Sequence, residues 1–289
     1  MRQFRRGVAV AAFLVLPAVA QAEETTPAAA ADAPIATARQ GASLDDQDLT
    51  RLSLEELAMV EVTSVSRRPE SLADAAAAIF VITNDDIRRS GATSLPEALR
   101  LAPNLNVQRV NSVDYAISAR GFNGYETSNK LLVLLDGRSI YSTLHSGVFW
   151  DARDVMLQDV ERIEVISGPG GALYGSNAMN GVINIITRSA KDTQGTLISV
   201  AAGNRDADWA LRHGGELGGS GAWRVYAMGH RRGESWSPAG LEANDDAEGM
   251  RAGARADWRA GEGRLTLQGD VFDNQVTINE DLLGTEAHV

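Results

Sequence analysis

Between residues 221 and 271 the chain repeats one pattern, side chains that alternate between apolar and polar at every residue. Trp223, Val225, Ala227 and Gly229 alternate with Arg224, Tyr226, Met228 and His230. Met250, Ala252, Ala254, Ala256 and Trp258 alternate with Arg251, Gly253, Arg255 and Asp257, and Leu265, Leu267, Gly269 and Val271 with Arg264, Thr266, Gln268 and Asp270. Thr196 to Ala202 and Asp208 to Glu216 follow the pattern more loosely. A period of two sends successive side chains to opposite faces, so these segments are expected to be antiparallel strands with one apolar and one charged face. A soluble sheet would bury the apolar face on a protein core, whereas a transmembrane barrel would turn it to lipid and the charged face to a lumen. Small aliphatic faces with Trp near their ends suit an interfacial girdle, but alternation alone does not separate the two.

The first 22 residues bear on the choice. Arg2, Arg5 and Arg6 precede an apolar run from Val8 to Ala20, and Ala20-Gln21-Ala22 supplies small residues for cleavage before Glu23. This is the layout of an export signal. The alternative, a buried or spanning helix, is disfavoured by the short run and by Pro17. No run of eighteen apolar residues occurs, which excludes a multi-helix membrane protein. Hydrophobic residues at 44% and charged residues at 22% match a folded chain rather than a disordered one. Losing the three arginines leaves 24 Lys+Arg against 38 Asp+Glu, a formal charge of −14. Such a balance opposes nucleic-acid binding, which needs phosphates to be neutralised. With no cysteine, disulfides, Cys-ligated metals and thiol catalysis are excluded.

Residues 23–59 are expected to be a flexible leader with a short helix, where Ser53 and Glu56 have capping-box spacing. Val60 to Ser66 is β-branched and alternating, and Arg67-Arg68-Pro69 ends it. From about 70 to 189 the segments are short and mixed. Ala75 to Thr83 ends in a strand-like run, and Asn84-Asp85-Asp86 supplies a cap and acidic first turn for a helix that Gly91 can close. Ser94 and Glu97 repeat the capping-box spacing, and Pro103 stops that helix. Leu131–Leu135, Val160–Ile166 and Val182–Thr187 are expected to be strands, with Asp136-Gly137 a hairpin turn. The sum is an α+β domain of about 120 residues, within the usual domain range.

Little here supports catalysis. The run Ser167 to Gly181 is rich in glycine, but it lacks a Lys-Ser/Thr pair and G-x-G-x-x-G spacing, so it is expected to be a turn between strands. His145, His213, His230 and His288 are scattered without metal-ligand spacing. No G-x-S-x-G elbow occurs and no nucleophile is placed with a base, so the chain is expected to be neither an enzyme nor a cofactor or metal carrier. Arg120 and Arg162 stand out because each lies in or beside an apolar strand signal, where a buried arginine must be paired. The partner is either internal, Glu161 or Glu164 for Arg162, or on a second domain that encloses this one.

Taken together, VEVTSVSRR (60–68), FVITNDDIRRSGATSLPEALRLAPNLNV (80–107), ISARGF (117–122), LLVLLDGRSIY (131–141) and VERIEVISGPGGALYGSNAMNGVINIITR (160–188) resemble the plug of TonB-dependent outer-membrane receptors. The last segment is the most specific. The resemblance implies an α+β plug (69–189) followed by the beginning of an antiparallel transmembrane β-barrel (190–289), of a 22-stranded kind that encloses its plug. It implies energised import of a scarce large ligand across the outer membrane, most often an iron–siderophore, else cobalamin or haem. The implied partners are TonB with its inner-membrane energising complex, a metal chelate as ligand, and outer-membrane lipid. Glu61, Val62, Thr63, Ser64 and Val65, within the TonB-box-like segment 60–68, match the TonB box, which would add a strand to TonB; the competing reading is the first strand of the plug itself. Arg120 and Arg162 fall where family plug arginines pair with barrel glutamates. Apex loops at 108–115, 122–128 and 142–150 would offer Tyr115, Phe122, Tyr125, His145, Phe149 and Trp150 to ligand.

The span 190–289 holds about five or six strands at about ten residues each, too few to close a barrel, and an open edge in lipid is not tolerated. A fragment of a longer receptor is therefore expected. A transducer would need a folded domain that residues 23–59 cannot supply. The remaining alternative is a soluble periplasmic binding or interaction module with a plug-like fold.

Overall fold

The computed structural model describes residues 2–6, 11–15, 61–62, 70–71, 78–121, 128–236, 240, 242–261 and 263–278. Strands β1 (Arg2–Arg6) and β2 (Ala11–Val15) come first, and a short ribbon pairs β3 (Glu61–Val62) with β4 (Glu70–Ser71). The rest of the expected export signal and leader, including the Ser53–Glu56 helix, lies outside the described residues.

Residues 78–187 build the α+β unit. β5 (Ala78–Thr83) runs into helix α1 (Asn84–Ser90), followed by α2 (Leu95–Leu99). A hairpin joins β6 (Leu105–Arg109) to β7 (Tyr115–Ala119). A second joins β8 (Leu131–Leu135) to β9 (Arg138–Ser139), and its turn residues Asp136 and Gly137 both have positive φ, at 49° and 77°. That is the primed turn whose twist matches a two-residue hairpin. β10 (Val160–Ser167), the one-turn helix α3 (Gly171–Tyr174) and β11 (Gly181–Thr187) complete the unit. The strands lie in the order β5-β10-β11-β8-β9, all antiparallel except β11 beside β8.

Alternation on β10 divides the sheet into two faces. Ile163 and Val165 share one with Ile82, Ile183 and Ile185, and Ile87, Leu95 and Leu99 of the two helices cover it. Burying each such side chain is worth about 1.5–3 kcal/mol. Ile166, Val182, Leu132 and Leu134 pack on the other face, which also carries Arg162 and Glu164. The glycine-rich run is the expected turn, linking β10 to its antiparallel neighbour β11. At its end a Cβ on Gly181 would stand 2.5 Å from the Ile166 carbonyl oxygen, so only glycine lets β11 start so close to β10.

The cap of α1 falls one residue earlier than the sequence suggests. Thr83, not Asn84, is the N-cap: its hydroxyl accepts from the Asp86 amide, and Asp86 accepts from the Thr83 amide. Asn84 instead donates to the Leu157 and Val160 carbonyls, at 3.0 and 2.6 Å. Gly91 closes the helix at φ 71° as expected. At α2, Ser94 is the N-cap but makes no side-chain capping bond; Glu97 pairs with Arg100 and Tyr115 instead.

Five strands follow in sequence order, each antiparallel to the next: β12 (Gly195–Ala202), β13 (Ala207–Leu217), β14 (Gly221–Arg232), β15 (Ala247–Ala260) and β16 (Gly263–Ile278). β1 and β2 both pair with β16 on the side away from β15. The alternation resolves in one direction. Ile198 and Val200 are 73% exposed and Met250 61%, whereas Arg212, Arg224, Arg232, Arg251 and Asp257 are buried against the α+β unit. A soluble sandwich would show the reverse. This is an apolar-out, charged-in wall with a plug on its charged side, and among the described residues it does not close.

Candidate functional site at the seam between plug and wall

Each wall strand from β13 to β16 sends polar side chains to the plug. Asp159, just before β10, is buried with Arg212 of β13 and Arg224 of β14 beside its carboxylate. Arg224 also donates to the Arg188 carbonyl at 2.7 Å. Arg255 of β15 donates to Thr187 Oγ1 at 2.8 Å and stands 3.6 Å from Asp136. Asp136 itself accepts from the amide and hydroxyl of Thr187, both at 2.8 Å. Asp257 accepts the Ala190 amide at 2.7 Å, Arg251 donates to the Ala152 carbonyl at 2.7 Å, and Asn274 to the Asp151 carbonyl at 2.9 Å. A guanidinium has five N–H donors, so one arginine can hold a wall carboxylate and a plug carbonyl together. Arg251 does so, pairing with Asp270 on β16 as well.

Asp154 is a further buried carboxylate of this seam. Burial pushes its carboxyl up from 3.8 to about 6, although Arg251 and Arg232 pull it down.

The expected site residues fall in different places. Arg162 takes the internal alternative, paired with Glu161 and with Glu164, the latter at 2.8 Å from Nε. Its face of the sheet borders an open groove with Tyr174 and Asn184, and β12–β16 do not cover it. Arg120 is exposed, at φ 56°, with its guanidinium near Gly168. Trp150 is 7% exposed and packs in the main hydrophobic core of the plug, where it also borders a small cavity with Tyr115. Tyr115 is half-buried and donates its hydroxyl to Glu97 at 2.8 Å; desolvation is the main reason its phenol is pushed up to about 12. His145 and Phe149 stack at 4.7 Å between ring centroids, and the neighbouring Leu144 is 89% exposed. Glu61 and Val62 form β3; Thr63, Ser64, Val65, Phe122 and Tyr125 lie outside the described residues. No cluster of metal-ligating side chains occurs among the described residues.

The seam itself was missed by sequence reasoning. In its ion pairs across to the plug, Asp136 and Asp159 of the plug meet Arg212, Arg224 and Arg255 of the wall. The signal was present in the polar phase of the strands, where Arg224, Arg251 and Arg255 recur opposite an apolar face.

A sheet of this polarity wrapped on an α+β plug is the architecture of a plugged outer-membrane receptor. A family profile described as the TonB-dependent receptor plug domain matches residues 71–182. The vitamin B12 transporter BtuB of Vibrio vulnificus is 38% identical over 145 residues, covering 50% of this chain and 23% of that protein. Its Vibrio cholerae counterpart is 30% identical over 197 residues, covering 68% and 31%. The closed form of the ferric-catecholate import receptor Fiu from E. coli K12 superposes with a TM-score of 0.61 at 24% identity, covering 77% and 30%. The pyoverdine outer membrane receptor FpvA of Pseudomonas aeruginosa PAO1 gives 0.60 at 19%, covering 74% and 30%. The chain thus spans 23% to 31% of the length of these relatives. It belongs to the TonB-dependent receptor family, with a plug domain and strands that correspond to the start of that family's barrel.

Proposed function

We propose that the protein serves TonB-dependent import of a scarce, large ligand across the outer membrane. The observation that carries this reading is the seam: a wall with an apolar outer face and arginines turned inward onto a plug. The same outer face speaks against a soluble module, since Ile198, Val200 and Met250 would stand bare in water. In this reading residues 1–22 direct export and are removed, which takes β1 and β2 away from β16 in the mature protein, and the segment from 60 to 68 offers a strand to TonB. His145 and Phe149 face the ligand from the plug's apex.

The identity to vitamin B12 transporters favours a corrinoid as ligand. A ferric catecholate is the second reading, favoured by 26% identity to the open form of Fiu at a TM-score of 0.57. Cells lacking their own receptors and expressing a complete receptor that carries this plug and these first strands should take up labelled cyanocobalamin, and Val62→Pro, which removes a strand donor, should abolish uptake while surface binding persists. Loss of binding as well would refute that division of labour. Uptake of a ferric catecholate in place of cyanocobalamin would select the second reading.

A further inference from the structure

One buried carboxylate away from the arginine seam joins the plug to the β14–β15 end of the wall. Asp245 is 3% exposed and lies in the connection between β14 and β15. Its Oδ2 accepts the Ser112 amide of the plug at 2.8 Å and the Ser235 hydroxyl of the wall at 2.6 Å, while Oδ1 accepts the Ser235 amide at 2.6 Å. The plug loop it grips is already shaped from within. Asn111 Oδ1 accepts the amides of Val113 and Asp114, and Arg109 donates to the carbonyls of Asn111 and Ser112. Val113 packs with Ala247 and Val276, a small apolar cluster separate from the plug core. Arg109 also reaches to 4.0 Å from Asp206 in the β12–β13 turn. A loop stiffened internally and held at its tip transmits displacement instead of absorbing it.

We propose that Asp245 is a positioning residue that locks plug loop 110–114 to wall residues 233–236, so that the two segments move as one body. The proposal rests on the transport reading only in taking 110–114 as part of the ligand-facing apex. A ligand that shifts the loop would then shift residues 233–236, and the reverse would hold.

Backbone hydrogen exchange on the full chain in detergent micelles, without ligand, tests the coupling separately from transport. Asp245→Ala should speed exchange about ten-fold in both 110–116 and 233–236, the scale expected for loss of one or two net hydrogen bonds. Ser235→Ala alters only the wall side, yet should still speed exchange in 110–116 by a few-fold. Asp245→Asn, which keeps one carbonyl oxygen, should fall between. Acceleration confined to 233–236 in Ser235→Ala would overturn the proposal, and this variant decides if Asp245→Ala does not fold. Unchanged exchange in 110–116 in a folded Asp245→Ala would overturn it equally.

Discussion

Asp159 of the plug and Arg224 of the wall stand 3.4 Å apart, Oδ2 to Nε, with both side chains buried. At that separation the contact is an ion pair without hydrogen-bond alignment, and Arg212 supplies the closer partner on the other carboxylate oxygen. Removing the carboxylate leaves two guanidiniums buried at one point. Asp159→Ala should therefore destabilise the plug in its wall by about 3–5 kcal/mol, the usual cost of breaking a buried pair from one side. Urea titration in micelles, followed by protease access to the plug, measures it. A loss below 1 kcal/mol would mean that water already screens the pair.

Asp154 gives a pH dependence of defined sign. Its folded pKa of about 6 lies above the ordinary 3.8, so the fold prefers the protonated form. That favourable contribution is complete below about pH 4 and is lost as pH rises through about 6. Two units correspond to about 3 kcal/mol as an upper figure. Asp154→Asn should match the wild type near pH 4 and exceed it in urea midpoint at pH 7 and above. A mutant less stable than wild type at pH 7 would show that the charged carboxylate, held by Arg232 and Arg251, is the form the fold requires.

Three tryptophans on the outer face each lie across a glycine of the neighbouring strand: Trp209 opposite Gly229, Trp223 opposite Gly215 and Trp258 opposite Gly221. A Cβ at Gly229 would meet Trp209 Nε1 at 2.5 Å. Gly229→Ala should displace that ring and cost about 1–3 kcal/mol, as overpacking does. In a double-mutant cycle Trp209→Ala should relieve most of the loss. Strict additivity would show that the ring is free to move aside.

Thr83→Ala should lower plug stability by about 1 kcal/mol through loss of the hydroxyl that accepts the Asp86 amide, while the residue-83 amide can still donate to Asp86. Thermal unfolding checks the figure, and Thr83→Ser, which keeps the hydroxyl, should recover most of it.

Why some of this could be seen in the sequence, and some not, follows from where each choice is decided. The α1 segment offers three good caps in a row, Thr83, Asn84 and Asp85, and local chemistry cannot rank them. Asn84 is committed by the Leu157 and Val160 carbonyls more than 70 residues away, which leaves the cap to Thr83. Trp150 sits in a stretch with no periodicity, so nothing local reveals that it turns into the core. The inward arginines were visible as the polar phase of alternating strands. Their partners were not, because Asp159 meets Arg212 only once two elements fold together. Strands that alternate, and turns such as Asp136-Gly137 that need positive φ, were legible because their causes lie within a few residues.

The parallel placement of β8 against β11 also has a consequence for assembly. Every wall strand meets its neighbour through the next turn, so the wall can zip up as a chain of hairpins in the order of synthesis. The plug sheet cannot. Leu131 finds its partner Gly181 only when the chain has grown 50 residues further, and β5 has no partner until β10 arrives. High contact order slows such closure, so the stopper should mature later than the local ribbons that surround it, although it precedes them in the chain.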